Sequence, residues 1–194
     1  MVRYCMKYFQ LLYDFEHDHD YAFADEGDLK GVYRYDVNRG KPVLEWPDGV
    51  YFKYDLKFGA TWTDYLANIY HWPMFSERMR ELTEAIIPEG DIQYLPAQLR
   101  NVETGETNDT YRIANVLKVI DAIDMDASDY AVIRAGDIKM NSFKKYALKK
   151  ERLDGSPIFK LSNDPSPIFM SQTLVDVIRK AKLTGFDFLE VKVV

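Results

Sequence analysis

Twice along this 194-residue chain, at Ser76 and at Ser171, the spacing of apolar residues changes from about 2 to about 3.6. A period of two belongs to a strand with one dry face, and a period of 3.6 to a helix with one dry stripe. Before Ser76 the alternation is rich in aromatics. "VYFKYDLKF" sets Phe52, Tyr54, Leu56 and Phe58 against Tyr51, Lys53, Asp55 and Lys57. "GVYRYDV" spaces Val32, Tyr33, Tyr35 and Val37 among polar positions, and "RYCMKYFQLLYDF" has a similar strand-like density. The turn formers "NRGKP" and "WPDG" separate these runs.

From Ser76 onward, Phe75, Met79, Leu82 and Ile86 fall on one helical face. Ser76 suits the N-cap, Glu77 suits the first turn, and Pro88 with Gly90 stops the helix. The second switch repeats this design. Ser171 is the cap, Leu174, Ile178 and Ala181 form the dry face, and Lys180 and Lys182 suit the C-terminus. Gly185 suits the left-handed position beyond it, and "FDFLEVKVV" is a closing strand. Between the helices, "DIQYLPAQL" predicts a strand and "ETGETND" a hairpin loop, while "TYRIANVLKVIDAIDM" predicts a strand entering a longer apolar run. "YAVIRAG" and "DIKMNSFKKYAL" fit strands or one short helix. The segments Met74 to Leu95 and Ile168 to Val191 share one order of apolar run, Ser cap, helix, turn and strand, as a duplication or as two uses of a common connection. The expected fold is α+β, a mainly antiparallel sheet with two or three helices packed on it. Residues 1–71 form a β-rich region and 72–194 an α+β region, together one compact unit.

With 47% apolar residues the chain can bury a core, so it is not a disordered segment. Its one cysteine, Cys5, rules out an intrachain disulfide and reads as a small buried hydrophobe. No stretch approaches the roughly 20 apolar residues of a membrane span, and Asp14 and Glu16 interrupt any leader-like run. A cytoplasmic protein without a membrane partner is expected.

The net charge of −6 is uneven. Residues 1–30 hold seven acids against three cations, whereas "KKYALKKER" holds five cations and one acid. An acidic N-terminal region repels phosphates, so nucleic acid is not expected as its direct partner and a basic protein is.

"YDFEHDHDYAF", from Tyr13 to Phe23, raises the possibility of a metal. His17 and His19 lie two apart, but a catalytic zinc needs three protein ligands and a structural zinc four. No HExxH is present, and His71 stands alone. In "DAIDMDASDY", Asp124, Asp126 and Ser128 match the odd positions of a calcium loop, but Asp129 stands where its glycine belongs and Ala135 where its bidentate acid belongs. No GxSxG, GxGxxG or P-loop occurs, and Ser76 and Ser171 are spoken for as caps. Neither a metal, a cofactor nor a catalytic residue is expected. The acids read instead as binding surface: first Tyr13, Glu16, His17, Asp18, Asp20, Tyr21, Asp25, Glu26 and Asp28, then Asp121, Asp124, Asp126 and Asp129.

"FSERMREL", "QYLPAQL", "YRIANVLKVIDAIDMDAS", "SPIFKL" and "SPIFMSQTLVDVIRKAKLTGFDF" occur in this order over residues 72–190. This succession resembles immunity protein family 11 of bacterial polymorphic toxin systems. The pattern carries onto Phe75, Ser76, Leu82, Leu95, Pro96, Asn115, Val116, Asp121, Asp124, Ser128, Ile158, Phe159, Phe169, Ser171, Gly185 and Phe186. Most of these read as caps, turns and core. The resemblance implies a non-enzymatic antidote encoded beside a toxin and binding it. The toxins that accompany the family are often nucleases of the HNH-like, AHH-motif kind, whose phosphate grip makes them basic. The competing classes are a small metal-dependent hydrolase using His17, His19 and a remote carboxylate, and a regulatory adaptor.

Overall fold

A computed structural model of the chain describes residues 7–17, 20–136 and 138–194. Its N-terminal half holds β1 (Tyr8–Tyr13), β2 (Phe23–Asp28), β3 (Tyr51–Tyr54), β4 (Tyr65–Asn68), β5 (Met74–Phe75), helix α1 (Glu77–Glu84), β6 (Ile92–Pro96) and β7 (Gln98–Asn101). There follow β8 (Thr107–Asn108), β9 (Arg112–Val116), β10 (Val119–Ile120), β11 (Asp129–Ala135), β12 (Ile138–Lys145) and β13 (Ala147–Leu148). The chain closes with β14 (Ile158–Leu161), β15 (Asp164–Ser171), helix α2 (Gln172–Lys180) and β16 (Phe186–Val193).

Strand makes up 43% and helix 11%, in two curled sheets, which corrects the expected α+β class to a mostly β one. The helices are short, about two turns each, and bury one face apiece. Most of the remaining apolar runs go into strands, because they are too short and too often broken by turns to wind into helices. None of the helices described is long and apolar enough to cross a membrane.

One sheet has the order β10-β14-β15-β1-β16-β13 and the other β6-β9-β5-β4-β2-β3-β7-β8, while β11 and β12 form a separate hairpin. The two Ser-capped helices occupy equivalent places. α1 links β5 to β6, and both strands pair antiparallel with β9 between them. α2 links β15 to β16, and both pair antiparallel with β1 between them. Each helix is thus the crossover of a split β-α-β unit. Both pack into one core, where Met79 of α1 and Leu174, Val175 and Ile178 of α2 join Phe9, Phe75, Val116 and Met170 of the two sheets.

The caps form as expected. Ser76 Oγ accepts from Met79 N at 3.2 Å and donates to Asp64 Oδ1 at 2.7 Å. Ser171 Oγ accepts from Leu174 N at 3.4 Å. Ser76→Ala is expected to cost roughly 1–2 kcal/mol and Ser171→Ala nearer 0.5, within the usual range for a lost N-cap. Urea unfolding of both variants checks the order, and equal losses would mean that the Asp64 bond adds nothing.

Four local expectations need correction. "GVYRYDV" is an irregular loop rather than a strand. Left-handed residues bound it, Lys30 and Gly31 on one side and Asn38 and Gly40 on the other. Side chains from the second sheet hold the continuing loop: Gln93 exchanges two hydrogen bonds with the Val43 backbone, and Asn115 Nδ2 donates to Lys41 O. The "VYFKYDLKF" strand stops at Tyr54, because Asp55 Oδ1 accepts from Lys57 N and turns the chain, leaving Leu56 and Phe58 exposed. "DIQYLPAQL" divides at Ala97 into β6, paired with β9, and β7, paired with β3. After α2 the left-handed position belongs to Lys182 at φ 53°. Gly185, also left-handed, is needed for close approach instead: a Cβ there would lie 2.4 Å from Tyr65 O.

Candidate functional site

Strands β1 and β15 pair as far as Gln10 and Phe169. The next residues, Leu11–Tyr13 and Ser166–Ile168, border a groove of about 280 Å³, with Phe23, Leu66 and Trp72 on its other walls. Pro165 and Pro167 lie in this part of β15 and have no N–H to donate across the gap. At the mouth, Phe15 is 69% exposed and Phe23 43%. The Tyr13 ring meets Phe15, Tyr21 and Tyr65 edge-on at 5.2, 6.3 and 5.9 Å, so the aromatic rim is braced.

The acids near this mouth divide into exposed groups and structural ties. Asp14, which the sequence reading passed over, organises the stretch. Its Oδ1 accepts from the backbone of Glu16 and His17, its carboxylate contacts His17 Nδ1 at 3.1 Å, and Tyr21 OH donates to its Oδ2. Burial pushes the Asp14 carboxyl up, but these bonds and the His17 charge outweigh it and hold it below the usual carboxylate range. Asp20 is tied to Thr61, whose hydroxyl donates to its Oδ2 at 2.6 Å. Asp28 accepts from both the Lys30 backbone and its ammonium, which hold its carboxyl low. Glu16, His17, Asp25 and Glu26 are exposed, while Tyr13 and Tyr21 are half-buried. Asp18, His19 and Cys5 lie outside the described residues.

A second recess of about 690 Å³ adjoins the groove through Asn38, His71, Trp72 and Ser166, and Arg34, Arg39 and Lys41 line it. One face therefore runs from an acidic aromatic end to a basic one. Arg34 lies in a run that was expected to be a strand and Arg39 and Lys41 in one read only as a turn, so the basic end was not anticipated. Phe15 and Phe23 were missed because nothing in a strand-like aromatic run marks which rings stay in solvent.

The second acidic cluster does not line this groove. Asp124 is a turn-maker: Oδ1 accepts from Ala127 N and its carbonyl accepts from Ser128 N. Asp121 Oδ1 accepts from Ser162 Oγ, and Asp126 and Asp129 are exposed. Among the described residues no three His, Cys, Asp or Glu side chains gather where one cation would reach them. His17 is 72% exposed and engaged with Asp14.

A groove of this kind identifies no reaction, and the family comparison decides the class. A model of an immunity protein family matches residues 7–193. The chain belongs to the immunity protein family Imm11. No curated protein matches it. The match reaches beyond residues 72–190 to take in β1, the groove and the first acidic stretch. Family membership supports an immunity role and implies a cognate toxin as the bound partner. Of the residues that carried the sequence resemblance, Phe75, Leu95, Asn115, Val116, Ile158, Phe159 and Phe169 are buried, and Ser76 and Ser171 are caps. They hold the Imm11 fold.

Proposed function

We propose that this Imm11 protein neutralises its toxin in the cytoplasm by direct, non-catalytic binding through the groove face, and that the toxin is a basic nuclease. The observation that carries the proposal is the exposed pair Phe15 and Phe23 at the mouth of an apolar groove, with Glu16, Asp25 and Glu26 exposed nearby. Desolvated aromatics set the off-rate of an interface and its rim charges set the on-rate. The structural acids Asp14, Asp20 and Asp28 contribute field but are committed to the fold.

The test is binding kinetics with the toxin domain encoded beside the chain, at low and high salt. Glu16→Lys with Asp25→Lys and Glu26→Lys is expected to slow association about tenfold and flatten its salt dependence. Phe15→Ala is expected to act on dissociation. Salt-independent association with unimpaired variants would remove this face from the mechanism, and no binding by wild type would remove the toxin-binding reading itself.

A further inference from the structure

We propose that the β11–β12 hairpin is a second contact arm that engages an acidic surface on the toxin; this rests on the toxin-binding reading above. The two strands pair with each other and, among the described residues, with no other strand, so both edges are open. The root is anchored. Tyr130 packs on Phe143, Phe143 stacks on Tyr146 at 4.8 Å, and Tyr146 OH donates to Asp164 Oδ2 at 2.6 Å. Beyond the root, residues 131–134 and 139–142 are exposed.

Its register sorts it into two unlike faces. Ala131 opposes Ser142 and Ile133 opposes Met140, a face without charge on which Ile133 and Met140 are about half exposed. The other face pairs Val132 with Asn141 and Arg134 with Lys139. Two cations directly opposite one another destabilise a hairpin, and a two-stranded ribbon is marginal already. A carboxylate from a partner, bridging Arg134 and Lys139, turns that repulsion into attraction. Lys144 extends the positive charge towards the root, where Lys145 lies opposite Asp129, and the hairpin carries four cations against two acids in a chain of net charge −6. The partner surface is therefore acidic, with an apolar strip beside it to cover Ile133 and Met140. It is chemically opposite to the basic surface proposed for the groove face, so the two contacts fix the toxin's orientation between them.

The experiment compares wild type, Arg134→Glu with Lys139→Glu, and Ile133→Ser, all full-length, for binding to the purified, inactivated toxin domain encoded beside the chain. These side chains are exposed, and matched melting temperatures will confirm that the variants fold. Each variant is expected to weaken binding about tenfold or more, the charge variant also losing part of the salt dependence. Wild-type binding with unimpaired variants overturns the arm and leaves the groove reading standing; no binding by wild type overturns both. Self-association of wild type, or its retention of mixed-sequence duplex DNA, overturns the arm proposal if the variants abolish it while toxin binding is unchanged.

Discussion

Stability is expected to rise with pH between about 7 and about 10, and to lose that rise in Lys160→Met. Lys160 is fully buried on β14. Its ammonium donates to Asn38 Oδ1, to Pro165 O at 2.7 Å and to Ser166 O at 3.3 Å, pinning the 30–49 loop to the β14–β15 hairpin. Burial pushes the group down to about 7, with Asp164 opposing the shift. In the unfolded chain it titrates near 10.4. Below pH 7 both states hold the proton, and the full cost of burying the charge is present. Between the two values the unfolded chain binds a proton that the folded chain has shed, so stability grows with pH, by about 1.4 kcal/mol per unit and up to about 5 in all.

Above pH 10 the sign reverses. Burial pushes Tyr65 and Tyr94 up to about 12 and raises Tyr111 and Tyr146 as well, so the folded chain keeps protons that the unfolded chain loses. Urea unfolding from pH 6 to 11 is expected to show a maximum near pH 10 in wild type. Parallel wild-type and variant curves from 7 to 10 would show that Lys160 is solvated.

Asp64→Ala is expected to cost about 3 kcal/mol, more than either cap. Asp64 is 5% exposed and ties the start of α1 to the turn after α2. Its Oδ1 accepts from Ser76 Oγ, and its Oδ2 accepts from Thr184 N at 3.0 Å and from Arg78 Nη1 at 3.4 Å. Arg78 continues the link by donating to Ala181 O at the end of α2. Removing the carboxylate takes the acceptor away from the half-buried Ser76 hydroxyl and the Thr184 N–H and leaves Arg78 without its ion pair. Asp64→Asn keeps an acceptor and is expected to lose about half as much. A loss under 1 kcal/mol for Asp64→Ala would show that water replaces the carboxylate.

Elements whose signals are local can be read directly from neighbouring residues. A serine hydroxyl capping an N–H three residues on needs nothing from the rest of the chain, so Ser76 and Ser171 were legible. So was the closing strand at Phe186–Val193, whose apolar density continues to the end. The ordered succession of short motifs also pointed to Imm11, because those motifs are core and cap residues that the fold requires. The tertiary structure decided what depends on partners far along the chain. "GVYRYDV" alternates like a strand, yet Gln93 and Asn115 hold the loop that follows it through bonds spanning 50 and 74 residues. The burial of an aromatic likewise depends on distant neighbours: Phe52 is buried against Tyr70 and Trp72. The same applies to the acids, where Asp20 is tied to Thr61, 41 residues away, while Glu16, Asp25 and Glu26 are exposed. A carboxylate's charge is written in the sequence; what it pairs with depends on which strands the sheet brings beside it.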